Sequence, residues 1–228
     1  MKAMNYIQQR FLKTYLRDHA LTGNTTSLDW AMELTFGCKL IKVDATSRHY
    51  GMQEDGTRLI IGTALNRDGR FAYFNKAQLL HKRKRSYKLD VEAVPVVHTV
   101  KSFKQYNMWY AVTENYGCVD ANIFRAETEI CLHLEPAIND MLAAGFNYTC
   151  GDYLEVCFEM FSQFHPQYDL VDLFKMFPST EKFVDSLYLV ACSARDTGYM
   201  LDLDVDHLGV NVKGEVIVVN PFRVAEYA

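Results

Sequence analysis

The chain has 228 residues, of which 49% are hydrophobic, and a formal net charge of -4 at pH 7. This length and composition are those of a globular protein with its own core and argue against a disordered chain. No apolar stretch approaches the roughly 20 residues that a membrane helix needs. Residues 1–10 lack the apolar core of a signal peptide. We therefore expect a soluble, cytoplasmic protein without a membrane partner.

Six cysteines are scattered along the chain without a C-x-x-C pair, which favours reduced thiols over a zinc site or a disulfide framework. Charge is unevenly placed, because the run 82–88 contains Lys82, Arg83, Lys84, Arg85 and Lys88. This run is either the solvated end of a helix or a contact surface for a phosphate-bearing or acidic partner. Elsewhere the net negative charge argues against a nucleic-acid partner.

The first half of the chain alternates between strand and helix patterns. Apolar residues three and four apart predict a helix at 5–18, and short apolar runs predict about three strands between 39 and 65. A helix that ends in the basic run is predicted at 71–84. Two β-branched and aromatic runs at 95–100 and 108–112 then predict a hairpin.

The second half is mainly helical. Helices are predicted at about 124–144, 152–164, 169–176 and 181–195, the last with Ser179 as its N-cap. A hairpin of strands 208–212 and 216–219 closes the chain around a Lys-Gly turn. No repeat, low-complexity tract or Pro/Gly/Ser linker interrupts this order, so the elements predict one α+β domain with two lobes.

The most specific pattern lies near the C-terminus, where residues 200–207 read M-L-D-L-D-V-D-H and residues 218–222 read V-V-N-P-F. These segments resemble the catalytic segment of the early protein kinases of T7-like phages, which reads Asp, apolar residue, His, two small residues, Asn, a hairpin and Thr-Asp-Pro. With Asp202 on the catalytic Asp, the two patterns run without a gap to Asn220-Pro221. The helix 183–195 matches the one that enters the kinase loop.

The resemblance covers about residues 43–222 in element order and implies a protein-kinase-like bilobal fold. Its small β-rich N-lobe with one helix would comprise residues 39–116, and its helical C-lobe residues 117–228. Residues 1–38 would form an N-terminal extension with a helix. The whole chain, residues 1–228, would then be a single kinase-like domain.

The resemblance also assigns roles near the C-terminus. Asp202 falls on the catalytic Asp, which orients the attacking hydroxyl and accepts its proton. The family's His is Asp204 here. His207 falls on the Asn that binds the second magnesium, and Asn220 on the Asp that bridges magnesium to the phosphates. Magnesium prefers anionic oxygen ligands, so His207 and Asn220 are candidate metal positions with weakened affinity.

In the N-lobe, the kinase Lys that binds the ATP phosphates falls on Ile60 or, by a one-residue ambiguity, on Ile61. The helix at 71–84, which would carry the Glu partner of that Lys, contains no acid. Ile60 and Glu114 are the positions at which the resemblance would place the cofactor.

Two further features of the N-lobe bear on nucleotide binding. Residues 44–50 occupy the nucleotide-covering turn but lack the glycines that let a backbone close over phosphates. Lys42 would replace the missing Lys if the strands were shifted, but too little chain would then precede it for the covering hairpin.

The same segment contains partial patterns for other divalent metals. Asp202, Asp204 and Asp206 begin like a calcium loop, but His207 stands where glycine is required and Lys213 where the bidentate Glu is required. Asp204, Asp206 and His207 could instead hold manganese or zinc. We favour the alternative that these residues form a solvated turn held by hydrogen bonds from Asp side chains to the backbone.

These substitutions together predict a pseudokinase, because phosphoryl transfer depends on positioning and charge neutralisation. Such an early protein of a bacteriophage would bind ATP and magnesium weakly or not at all. It would act by binding a host or phage protein during host takeover, in the cytoplasm of an infected bacterium. The alternative is an active Ser/Thr protein kinase that transfers the γ-phosphate of ATP to host proteins.

Overall fold

The computed structural model describes residues 6–52, 56–63, 65, 69–87, 89–120, 123, 125–164, 166, 170–176 and 178–224. Within these residues the fold is α+β, with seven α-helices and a five-stranded antiparallel sheet as its largest sheet. The chain divides into two compact units. The first comprises Met1–Gln78 and Val96–Asn115, and the second comprises Leu79–Pro95 and Tyr116–Ala228. Among the described residues, no helix is both long and apolar enough to span a bilayer.

The first unit is built on the five-stranded sheet, and its elements confirm the predicted strands. In chain order they are α1 (Tyr6–Thr22), α2 (Thr25–Phe36), β1 (Cys38–Val43), β2 (Ser47–Met52), β3 (Thr57–Gly62), the start of α3 (Gly69–Tyr87), β4 (Val97–Phe103) and β5 (Met108–Glu114). From Leu79 onward α3 belongs to the second unit. The strand order is β1-β2-β3-β5-β4, and every pairing in it is antiparallel. One helix, α3, lies between β3 and β4 in the chain.

One face of this sheet is covered by α1 and α2. Leu12 and Leu16 of α1 and Leu28 of α2 form a buried cluster with alternate residues of the strands, including Ile61 and Tyr110. The sequence analysis predicted only one helix before residue 39, so α2 was missed. Its ends carry local signals, because the Asn24 side chain accepts a hydrogen bond from the backbone of Ser27 and Gly37 adopts φ 61° at the C-cap.

The opposite face of the sheet contacts the start of α3. Phe71 and Phe74 pack on Trp109 with ring centroids 5.8 and 6.0 Å apart. Gly62 pairs directly with Trp109 across the β3–β5 ladder, and a methyl group at Gly62 would overlap the indole ring. The glycine therefore makes room for the largest buried side chain of the unit.

The second unit is helical with short strands. Its elements are β6 (Gly117–Cys118), α4 (Ala126–Ala143), α5 (Cys150–Phe164), α6 (Leu170–Met176), α7 (Pro178–Thr197), β7 (Tyr199–Leu201), β8 (Leu208–Val210), β9 (Val216–Val218) and β10 (Phe222–Val224). β7 pairs with β10, and β6-β8-β9 form a small antiparallel sheet. The four predicted helices and the C-terminal hairpin are confirmed.

The start of α7 differs from the prediction. The helix begins at Pro178, so Ser179 is its second residue rather than its N-cap. Proline is favoured in the first turn because its missing N–H would have no partner there. The Ser179 hydroxyl instead donates to Glu127 Oε1 at 3.2 Å.

Candidate functional site

The segment predicted to be catalytic follows β7 and ends in a turn of 3₁₀ helix, Val205–His207. The backbone N–H of Asp202 donates to the carbonyl of Pro221 at 2.7 Å. The carbonyl of His207 accepts from the backbone N–H groups of Val219 and Asn220 at 2.9 and 3.2 Å. These bonds hold both ends of the 202–207 segment beside residues 219–221. The structure thus brings Asp202, His207 and the backbone of Asn220 together.

The side chains of Asp202 and His207 contact each other. His207 Nδ1 lies 2.8 Å from Asp202 Oδ1 and 3.2 Å from the carbonyl oxygen of Asp202. Both neighbours are oxygens that only accept, so Nδ1 carries the proton and donates it. One oxygen of the carboxylate that was predicted to be catalytic therefore accepts a hydrogen bond from a side chain of its own loop.

A third carboxylate, which the sequence analysis missed, comes from α4. Glu135 Oε2 accepts a hydrogen bond from the backbone N–H of Leu203 at 2.7 Å. Glu135, Asp202 and Asp204 offer carboxylate oxygens that all lie within 4.8 Å of one another. Burial raises the pKa of Glu135, and the charges of Asp202 and Asp204 raise it further. Three hard oxygen donors at this spacing suit a divalent cation, unlike the His207 and Asn220 pair.

Asn139, one turn beyond Glu135 on α4, fixes the strand that leads into the loop. Its Oδ1 accepts from the backbone N–H of Leu201 at 2.8 Å, and its Nδ2 donates to the carbonyl of Leu201 at 3.0 Å. Asn139 is 7% exposed and Leu201 is fully buried. Both backbone groups of the residue before Asp202 therefore depend on a single amide.

The candidates in the first unit are placed as follows. Ile61 belongs to the cluster under α1 and α2, and because side chains alternate along a strand, Ile60 lies on the α3 face. Ile60 is 4% exposed. Glu114 ends β5 as an exposed residue whose backbone N–H donates to Val96 at 3.2 Å. Lys42, the alternative cation, lies 3.2 Å from Asp44 Oδ1.

A buried polar group occupies the turn between β1 and β2, where the resemblance expects a glycine-rich loop. Arg70 Nη1, from the first turn of α3, donates to Asp44 Oδ2 at 3.0 Å and to Ser47 Oγ at 2.6 Å. His49 Nε2 lies 2.9 Å from Asp44 Oδ2 and 2.9 Å from Ser47 Oγ. Ser47 and His49 are only 2% and 5% exposed, so this group fastens the turn and offers no accessible nucleophile.

The electrostatics of this group follow from the Arg70 charge. Burial acts to raise the pKa of Asp44, but the charge of Arg70 and the neighbouring hydrogen bonds lower it to about 2. Burial lowers the pKa of His49 to about 4, and Arg70 lowers it in the same direction. His49 is therefore neutral at pH 7, beside an ionised Asp44.

The basic run lies on the last turns of α3, where Lys82, Arg83 and Lys84 are exposed. Lys88 lies outside the described residues. Exposure is compatible with both interpretations of the run given above.

Compared with known proteins, the sequence matches no protein-family model and none of the curated proteins. These comparisons assign no family, and the fold itself is α+β with an antiparallel sheet.

Proposed function

We propose that this is a kinase-like protein with an impaired phosphotransfer site, which acts by binding a host or phage protein. The observation that carries the proposal is the 2.8 Å contact between His207 Nδ1 and Asp202 Oδ1. In a working kinase the residue matched to Asp202 accepts a proton from the substrate hydroxyl, and the residue matched to His207 supplies a metal-binding oxygen. In this chain His207, at the position matched to the metal ligand, supplies a hydrogen-bond donor instead, and that donor contacts Oδ1 of Asp202.

The order of elements supports the kinase-like bilobal fold. The five-stranded sheet has one helix in the chain between its third and fourth strands, and a helix-rich segment follows it. The long helix α7 then leads into the Asp202 loop, the β8–β9 hairpin and Asn220. This is the order that protein kinases share, although order alone is compatible with other α+β folds.

Three charged side chains of the kinase nucleotide site have no charged counterpart in this chain. Ile60 stands for the Lys, α3 contains no acid to pair with such a Lys, and Asn220 stands for the metal-bridging Asp. Binding of ATP and magnesium in the kinase manner would therefore be weak or lacking.

A role in binding a partner protein is supported by exposed apolar side chains of the first unit. Leu40, Ile41 and Val43 of β1 are 40%, 49% and 56% exposed, and Trp30 and Leu34 of α2 are 63% and 65% exposed. β1 pairs with β2 on one side only and is an edge of the sheet. Exposed apolar residues and an unpaired edge are features of protein-binding surfaces.

The test is transfer of radiolabelled phosphate from ATP, with magnesium or manganese, to the protein itself and to a generic acceptor protein. We expect background labelling in the wild type and in Asp202→Ala. We also expect Asn220→Asp to remain inactive, because the Lys and its Glu partner would still be missing. Autophosphorylation that Asp202→Ala abolishes would overturn the impaired site.

The alternative, an active Ser/Thr kinase, has one observation in its favour. Glu135, Asp202 and Asp204 present the oxygens that a divalent cation requires, at a place where the kinase pattern does not have them. An active enzyme using this group would lose phosphate transfer in Glu135→Gln as well as in Asp202→Ala. It would also show a manganese-dependent rise in the unfolding temperature that Glu135→Gln removes.

A further inference from the structure

A cavity of about 450 Å³ lies in the first unit between α1 and the β4–β5 hairpin. This volume is within the range of small-molecule sites. Arg10, Lys13 and Arg17 of α1 line it, together with Lys101 of β4. None of the residues proposed above for catalysis, cofactor or metal is part of it.

The charge of this cavity is unusual for a chain whose net charge is -4. Four cationic side chains line it, and no carboxylate of the described residues does. Arg17 contacts the exposed Asp18 at 3.0 Å, and Lys101 Nζ donates to Gln9 Oε1 at 2.6 Å. Residues 10, 13 and 17 share one side of α1 by their spacing, so their charges converge on the same opening. Such an arrangement attracts a ligand with more than one negative charge.

Aromatic rings form the other part of the lining. Phe103 and Tyr106 are half-buried, and both line the cavity. Phe103 stacks on Tyr110 with centroids 5.9 Å apart and planes inclined by 25°. A flat ring placed against Phe103 would extend this stack.

The hydroxyl of Tyr110 is the second, independent sign of a ligand. Tyr110 is fully buried, lines the cavity, and its hydroxyl has no hydrogen-bond partner among the described residues. A buried hydroxyl without a partner is unfavourable, and phenylalanine would pack here equally well. Burial raises the pKa of Tyr110 to about 12, so the proton remains available for donation.

We propose that this cavity binds a small phosphate ester that carries a flat ring, of the size of a mononucleotide. Arg10 and Lys13 contact the phosphate, Phe103 packs on the ring, and the Tyr110 hydroxyl donates to a polar atom of the ligand. Tyr110 lies on the α1 face of the sheet and Ile60 on the other face. The cavity is therefore a different site from the position at which the kinase resemblance would place ATP, and the proposal does not rest on the proposed function.

The test is isothermal titration of the full chain with adenosine monophosphate at low ionic strength, with a chelator present to exclude metal-dependent binding. Arg10→Gln combined with Lys13→Gln should weaken binding by about tenfold or more, since each removes a charged donor. The matched control is Arg83→Gln combined with Lys84→Gln, which removes the same two residue types from the exposed basic run. The control should bind like the wild type.

Tyr110→Phe separates a ligand role from a structural one. It should weaken binding of adenosine monophosphate several-fold, by about the value of one hydrogen bond. Its unfolding midpoint in urea should be no lower than that of the wild type, because the hydroxyl has no partner to lose. A destabilised variant with unchanged affinity would overturn the assignment.

Further ligands define the chemistry of the site. Inorganic phosphate and adenosine should each bind more weakly than adenosine monophosphate. If inorganic phosphate bound as tightly as adenosine monophosphate, the proposed packing of the ligand ring on Phe103 would be wrong. Equal weakening in both double variants would show non-specific attraction by net charge. Affinity that rises with the length of a single-stranded oligonucleotide would replace the small-molecule site by a nucleic-acid surface, and no binding would remove the proposal.

Discussion

Lowering the pH from 7 to 5 tests the buried polar group between β1 and β2 through the imidazole of His49. Burial and the charge of Arg70 lower the pKa of His49 from 6.5 to about 4. Between these two values the unfolded chain binds a proton that the folded chain does not, so the free energy of unfolding falls as the pH falls. The loss begins near pH 6.5 and is complete near pH 4.

The size of the loss follows from the pKa difference. A pKa difference of one between the folded and unfolded chain corresponds to about 1.4 kcal/mol. The loss of unfolding free energy is then about 3 kcal/mol over the whole window and about 2 kcal/mol between pH 7 and pH 5. Asp44 does not interfere, because its pKa is lowered to about 2 and its contribution is lost only in stronger acid. Within the buried polar group, protonation of His49 therefore accounts for the change in unfolding free energy between pH 7 and pH 5.

The assay is urea unfolding followed by circular dichroism at pH 7 and pH 5. His49→Gln cannot take up the proton and should lose about 2 kcal/mol less than the wild type between the two pH values. Arg70→Gln should also lose less than the wild type, because Arg70 contributes to the lowered pKa. Equal losses in wild type and His49→Gln would refute the reasoning.

Three further changes should alter the free energy of unfolding in urea. Asn139→Ala should cost about 2 to 4 kcal/mol, because two buried backbone groups of β7 lose their partner. Glu135→Ala should cost about 1 to 2 kcal/mol through the orphaned N–H of Leu203, whereas Glu135→Gln, which retains an acceptor, should change stability by less than about 1 kcal/mol. Gly62→Ala should cost about 1 to 3 kcal/mol through overlap with Trp109.

Each of these changes has an internal comparison. Asn75→Ala is the control for Asn139→Ala, because the Asn75 side chain donates to the carbonyl of Phe71 in its own helix and, among the described residues, has no bond to a strand. A cost for Asn75→Ala equal to that for Asn139→Ala would show that the loss of any helix asparagine side chain, not of the bond to β7, sets the effect, because helix propensity alone favours alanine. Glu135→Gln that destabilises as much as Glu135→Ala would show that the carboxylate charge is required. A Gly62→Ala variant as stable as the wild type would show that the Trp109 indole can shift without cost to accept the methyl group.

Local signals explain which elements could be predicted from sequence. The β8–β9 hairpin follows from two apolar runs around Gly214, which adopts φ 82° as such a turn requires. α2 was missed although it carries an N-cap at Asn24 and a C-cap at Gly37, because its apolar pattern of Leu28, Ala31 and Met32 covers little more than one turn. Capping residues were a stronger signal there than periodicity.

The candidate site was only partly accessible from sequence for a different reason. Asp202 and His207 lie five residues apart, so their contact follows from one turn of the chain. Glu135 and Asn139 act on residues 68 and 62 positions away, through the packing of α4. No local pattern marks a helix glutamate or asparagine as the partner of a distant loop, so these residues appear only when the fold is known.

The impaired and the active interpretations differ in the partner that Asp202 keeps. His207 donates to Asp202 Oδ1, whereas a cation shared with Glu135 and Asp204 would draw on the same carboxylate. A cation bound by Asp202 would draw on the same oxygen that accepts from His207 Nδ1–H, so the two arrangements compete for Oδ1. A general base accepts the hydroxyl proton on its own oxygen, and because a carboxylate has two oxygens, the contact of His207 with Oδ1 leaves Oδ2 of Asp202 as an acceptor for a substrate hydroxyl. Phosphate transfer that Asp202→Ala abolishes, together with a manganese-dependent rise in the unfolding temperature that Glu135→Gln removes, therefore separates the active interpretation from the impaired one.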